Sequence, residues 1–287
     1  MRAYQDYIRL AEEKELKIGE IVLAEQAEDS EKTESELRER MRSNLEVMRA
    51  SVRSGLSEER QSLSGLVGGD AAKVYNRRKS GKSLTGDIVS GAIARALAVA
   101  EVNATMGKIV AAPTAGSCGV LPAVLFTVDE LLGSTEEELE TALFTAAGVG
   151  MVIADRANVS GAEGGCQAEI GSAAGMAAAV AVELAGGTPA QTGNAAALAM
   201  KSLLGLVCDP VAGLVEVPCV KRNATAATLA LAAAEMALAG VESKIPLDEV
   251  IDAMGEIGRQ MPCSLRETAQ GGLAVSKTGQ RIKADFL

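Results

Sequence analysis

Apolar residues recur at helical spacing along most of this chain. Leu37, Met41, Leu45, Met48 and Val52 line one helix face inside a charge-rich stretch that runs from residue 1 to about residue 62. The pattern predicts an N-terminal amphipathic helical arm over 1–64. A glycine-containing segment, 65–69, marks a flexible or domain-bridging junction ahead of a second unit, 65–287. Within that unit, helix starts carry their own chemistry. Ser134 with Glu137 forms a capping box ahead of Leu139, Leu143 and Ala146, and Thr188 with Pro189 and Gln191 supplies an N-cap, an N1 proline and an N3 partner. Pro246 opens a helix striped by Leu247, Val250, Ile251 and Met254, with Gly258 as its expected stop. No run alternates β-branched and polar residues in the manner of a strand. The fold class is mainly α, and the alanine-rich helices over 173–185 and 224–240 are expected to be buried on most sides.

Composition sharpens this picture. Apolar residues make up 48% of the 287 positions but aromatic ones only 2%, so the core is filled by small side chains and closely approaching helices. A net charge of −10 disfavours nucleic acid and anionic membrane surfaces, both of which need basic patches. The stretch over 109–128 has no formal charge, yet Pro113, Gly116, Gly119 and Pro122 interrupt it, so it reads as a buried loop and helix rather than a membrane span. The charged N-terminus has no signal-peptide pattern, and five cysteines are too few and odd in number for a disulfide scaffold. The expectation is a cytoplasmic protein. Gly81-Lys82-Ser83 resembles the end of a phosphate-binding loop, but Asn76 stands where that loop needs its first glycine.

The candidate chemistry lies in the cysteines. Cys166 sits in SGAEGGCQAE (160–169), and Cys208 and Cys219 bracket CDPVAGLVEVPC (208–219), each next to turn-forming residues. Three thiolates can hold three corners of a [4Fe–4S] cluster and leave one iron open as a Lewis acid, whereas electron-transfer clusters normally have four protein ligands. From spacing alone, buried apolar cysteines and a zinc site stay open beside the cluster. The PTAGS stretch (113–117) reads as a backbone anion pocket with the hydroxyls of Thr114 and Ser117, opening a helix near Gly119. With no histidine in the chain, a general base must be a shifted Lys, Asp, Glu or Cys, or come from another polypeptide. Charged residues near the cysteines are Glu163, Glu169, Lys201, Asp209 and Lys221, of which Lys201 and Glu163 are the candidates for catalysis.

Four strings, AAPTAGSCGVLPA (111–123), NVSGAEGGCQAEIG (158–171), CDPVAGLVEVPCVKRN (208–223) and RETAQGGLAV (266–275), together resemble the α chain of the bacterial iron–sulfur L-serine dehydratases. The resemblance covers residue 65 to the C-terminus. It implies a helical iron–sulfur catalytic domain whose [4Fe–4S] ligands are Cys166, Cys208 and Cys219, with no such role for Cys118 or Cys263. It also implies β-elimination of water from L-serine to give pyruvate and ammonia. Ser160 and Gly161 join Thr114 and Ser117 as candidates for holding the substrate carboxylate. Single-chain members of the family carry a further N-terminal domain with a GPSSSH-type motif and can end in a cysteine that plugs the site. Neither occurs here, so the resemblance implies a two-subunit enzyme whose β subunit supplies the missing motif. A cysteine desulfidase with the same ligands and a non-catalytic electron-transfer module are the competing readings.

Overall fold

The computed structural model describes residues 3–57 and 60–286. Among them are thirteen α-helices and no strand, the only β-type pairing being an isolated parallel bridge between Cys208 and Arg266. The helices are α1 (Tyr4–Lys14), α2 (Ile18–Ser30), α3 (Glu34–Ser57), α4 (Asp70–Lys79), α5 (Gly86–Ala104), α6 (Val120–Leu132), α7 (Glu136–Arg156), α8 (Gly161–Gly164), α9 (Ser172–Leu184), α10 (Pro189–Lys201), α11 (Cys219–Leu238), α12 (Leu247–Gln260) and α13 (Lys277–Phe286).

Helix α9 is the axis of the body. Every residue from Ser172 to Glu183 is buried, and α6, α7, α10 and α11 pack around it. Its sequence, SAAGMAAAVAVEL, combines the strongest helix former with side chains small enough to admit four neighbours. At Gly175 a Cβ would come within 2.7 Å of Met200 Cγ on α10. The stretch Ala115–Leu132 is long and apolar enough to cross a membrane, but about two-thirds of it is buried inside this body.

The amphipathic N-terminal segment is helical, in three pieces, α1, α2 and α3. Left-handed residues Glu15 and Glu31 end α1 and α2, and Thr33 with Glu36 caps the start of α3, so the breaks carry no glycine or proline to mark them in the sequence. These helices lie on the body and share its core. Leu45, Met48 and Val52 are buried, a Cβ on Gly55 would meet the Ala98 carbonyl on α5, and Arg42 pairs with the buried Glu140 of α7 at 2.6 Å. The glycine segment after them is a pinned turn. Ser62 and Ser64 donate to Glu216 Oε2 at 2.6 and 2.5 Å, tying it to the loop that precedes Cys219.

Two sequence expectations shift in register. The capping box of α7 is Thr135 with Glu138, one residue beyond the expected pair, because the run Ser-Thr-Glu-Glu-Glu satisfies the motif twice. Gly258 does not stop α12, which continues to Gln260. Its missing side chain instead lets α12 approach α8, where a Cβ would lie 2.8 Å from Gly164 Cα.

Under the α1–α2 turn, Glu183 of α9 accepts from Thr145 Oγ1 at 2.6 Å and from the Gly19 N–H at 3.3 Å, while its buried Oε1 has no partner. Burial pushes this carboxyl up to about 7. A folded value above the unfolded one means that stability is full below the unfolded pKa, near 4.3, and is lost as pH rises through about 7. Glu183→Gln should therefore raise the thermal midpoint at pH 8, by an amount corresponding to about 2 kcal/mol, and change it little at pH 4. An equal gain at both pH values would show that packing, not ionisation, is responsible.

Candidate functional site

The three motif cysteines arrive on separate segments, each fixed by contacts distant in sequence. Cys166 follows Gly165, whose φ of +74° turns the chain out of α8, and precedes a π-helical turn, Gln167–Gly171, that runs into α9. Such turns recur at functional sites because they re-aim side chains within a helix. The buried Gln167 holds this one: its Nε2 donates to the Met254 carbonyl at 3.0 Å, and its Oε1 accepts from the Gly205 N–H at 2.9 Å. Cys208 lies in the single bridge, donating its N–H to the Leu265 carbonyl at 2.8 Å and accepting from the Glu267 N–H at 2.9 Å. Cys219 is the first residue of α11, where unpaired N–H groups and the helix dipole favour a thiolate.

All three thiols are buried, and their charges act on one another. Burial is the main cause that pushes Cys166 up to about 11 and Cys219 up to about 12, and Cys208 is raised further by burial and then by Cys166. Arg222, one turn after Cys219, opposes this by hydrogen bonding to Cys166. Its guanidinium also pairs with the buried Asp209 at 2.9 Å and donates to the Val207 carbonyl at 2.8 Å. Asp209 Oδ2 in turn accepts from the Leu273 N–H at 2.8 Å, which anchors the C-terminal segment beside Cys208. Thiols held neutral by burial ionise when a metal supplies the compensating charge. Among the described residues no three His, Cys, Asp or Glu side chains converge on a single-ion site. Three buried thiols, one of them hydrogen-bonded to Arg222, are of the donor type that an iron–sulfur group takes.

The other residues singled out in the sequence divide into two sets. Thr114, Ser117, Gly161 and Glu169 come together with the cysteines. Thr114 Oγ1 donates to Glu169 Oε1 at 2.7 Å, and a Cβ on Gly161 would lie 2.6 Å from Glu169 Oε2 and 3.1 Å from Cys208 Sγ. The Ser117 hydroxyl is buried and turned to the Ala112 carbonyl, so the PTAGS loop presents its backbone and Thr114, with a carboxylate facing them, rather than two free hydroxyls. Ser160 begins the neighbouring turn, its N–H donating to Asn158 Oδ1.

Lys201 and Glu163 are engaged elsewhere. Lys201 Nζ donates to the carbonyl and hydroxyl of Ser243 at 2.7 and 3.2 Å, and the exposed Glu163 carboxylate accepts from Asn158 Nδ2. Cys118 is buried with Val99 beside it, while Cys263 is exposed.

Two functional residues escaped the sequence reading. Arg222 and Asn223 sit three and four positions after Cys219, the spacing that returns a helix to the same face, and that spacing was the available clue. Asn223 donates to the Gly116 and Cys219 carbonyls at 2.8 and 3.0 Å and accepts from the Gly119 N–H at 2.8 Å, locking the PTAGS loop to the start of α11.

Among the described residues the protein is mainly helical, with Cys166, Cys208 and Cys219 buried on loops and helix starts. The chain belongs to the family described as the serine dehydratase alpha chain, which it matches over residues 13–274. It is 54% identical to the probable L-serine dehydratase, alpha chain, of Bacillus subtilis (strain 168), over 98% of this chain and 94% of that one. It is 47% identical to the L-serine dehydratase, alpha chain, of Peptoniphilus asaccharolyticus, over 99% and 97% of the two chains. L-serine dehydratase 1 of Escherichia coli (strain K12) is 49% identical over 63% of this chain, which spans 40% of that longer protein.

Proposed function

We propose that this chain is the α subunit of a cytoplasmic L-serine dehydratase that releases pyruvate and ammonia from L-serine, with Cys166, Cys208 and Cys219 as the ligands of a [4Fe–4S] cluster. The observation that carries the reading is the set of three buried cysteines, with Arg222 hydrogen-bonded to Cys166, in a chain of this family. Thiolates at cube corners stand roughly 6 to 7 Å apart, a spacing that separates a cluster from a single-ion site. When bound, such a cluster supplies Lewis-acid polarisation of the departing hydroxyl through an iron that lacks a protein ligand.

The chain's own residues do the rest. Arg222 offsets the negative charge gathered by the thiolates, and Asp209 holds Arg222 in place. The backbone of the PTAGS loop and the Ser160-Gly161 turn are the proposed contacts for the substrate carboxylate, the hydroxyls of Thr114 and Ser117 being turned to Glu169 and the Ala112 carbonyl. Elimination removes the Cα proton and expels the β-hydroxyl as water. The resulting aminoacrylate tautomerises to an imine, which hydrolyses to pyruvate and ammonia. Lys201 and Glu163 are tied to Ser243 and Asn158, which favours a base supplied by a β subunit docked at the mouth of the site. In this reading the N-terminal helices α1, α2 and α3 are a layer against the catalytic body.

Anaerobic reconstitution with iron and sulfide, followed by a pyruvate assay, tests the proposal. Pyruvate should form from L-serine only when the β partner is added, and exposure to air should abolish turnover before the helical signal falls. Faster release of sulfide from L-cysteine would favour a desulfidase, and a reversible redox couple with no pyruvate would favour an electron carrier.

A further inference from the structure

Glu169 stands apart from the other charged groups around the thiols. Its Oε1 accepts from Thr114 Oγ1 and lies against the backbone of Gly116, where a Cβ would be 3.3 Å away. Its Oε2 accepts no hydrogen bond among the described residues, yet it is not among the sealed, unpartnered atoms of the interior, so it stays open to a ligand. Glu169 Oε2 and Cys208 Sγ flank the bare Cα of Gly161, where a Cβ would collide with the first at 2.6 Å and press on the second at 3.1 Å. Among the described residues no salt bridge reaches Glu169, whereas Arg222, the cation beside Cys166, pairs with Asp209 and donates to the Val207 carbonyl. Burial, and then the charge of a second carboxylate, Glu267, push the Glu169 carboxyl upward. All three thiols feel its charge. A carboxylate kept beside an anionic centre without a counter-ion is costly unless a cation joins it.

We infer that Glu169 is a specificity-determining residue whose open oxygen receives the α-ammonium group of the substrate. The inference rests on the L-serine reading above and assigns one end of that substrate. An α-ammonium at Glu169 Oε2 places the rest of a three-carbon amino acid toward the thiols on one side and the PTAGS backbone on the other. Thr114 then acts as a positioning residue, because its hydroxyl occupies Oε1 and leaves Oε2 to face inward. A side chain at Gly161 would collide with Glu169 Oε2, so the glycine keeps that oxygen clear. The site would disfavour 2-hydroxy acids of the same shape, since a hydroxyl can donate to the carboxylate but brings no positive charge to offset it.

The test uses the reconstituted α chain with its β partner and two probes that differ only at the α-substituent, L-serine and L-glycerate. Dissociation constants are read from the electron paramagnetic resonance signal of the reduced cluster, and kcat and KM from pyruvate formation. Glu169→Gln should weaken L-serine at least 30-fold in KM and in the spectroscopic constant, lower kcat by less than tenfold, and shrink the preference for L-serine over L-glycerate at least tenfold. Glu169→Asp should recover part of the lost affinity. Equal weakening of both probes, or a fall in kcat with KM unchanged, would overturn the assignment. If Glu169→Gln fails to bind iron, Glu169→Asp carries the test, with the same selective loss expected and an equal loss of both probes counting against it. Wild-type complex without activity on L-serine would remove the underlying reading first, and the assignment with it.

Discussion

Cys208→Ser is expected to abolish L-serine turnover, by at least about a thousandfold, and to remove most of the iron bound per chain while leaving the helical content intact. The thiol is buried, and a serine hydroxyl is a far poorer ligand for iron than a thiolate. The same substitution at Cys166 or Cys219 should match it, because loss of any one corner leaves two thiolates. Cys263→Ser is the control: that side chain is exposed, and its replacement should leave iron content and activity within twofold of the original. Iron analysis with circular dichroism checks the set. Full loading of Cys208→Ser would show that Cys208 is not a ligand.

The second large effect concerns stability. Asp209→Ala should cost about 3 to 5 kcal/mol, because it strands Arg222 beside buried thiols and removes the acceptor for the Leu273 N–H. Denaturant titration of the metal-free chain measures this without interference from cluster loss. Arg222→Met combined with Asp209→Ala should cost less than the sum of the two single changes, since the double variant no longer buries an unpaired charge. Additive losses would mean that the pair contributes independently to the fold.

The segments that carry the site were legible because their residue types are unusual for a helical chain. Glycines, prolines and cysteines stand out against the alanine-rich background, and the 3.6-residue periodicity located most helices. What stayed hidden depends on partners far away in sequence. Gln167 reads as an ordinary polar residue, and only the Met254 carbonyl and the Gly205 N–H show why it is buried. Lys201 and Glu163 lie near cysteines in sequence, but α10 carries Lys201 to Ser243 and the α8 turn leaves Glu163 on the surface. Glu169 was among the charged neighbours, yet nothing in the local string distinguishes it from Glu163. The π-helical turn decides between them, by directing Glu169 toward Thr114. The breaks between α1, α2 and α3 were invisible for a related reason: Glu15 and Glu31 adopt left-handed conformations at positions without glycine.

The single bridge between Cys208 and Arg266 bears on the order in which such a molecule is assembled. Cys166 is set by residues 205, 206 and 254, Cys208 by residues near the C-terminal end, and the start of α11 by a loop a hundred positions earlier. Contacts of that span form late, because long loops must close before they contribute. An incomplete chain lacks the contacts to residues 254 and 265–273 that fix the surroundings of Cys166 and Cys208. On the proposed cluster reading, iron and sulfide that arrive before those residues are in place meet cysteines that are still apart, which defers the inorganic step of maturation to the finished fold.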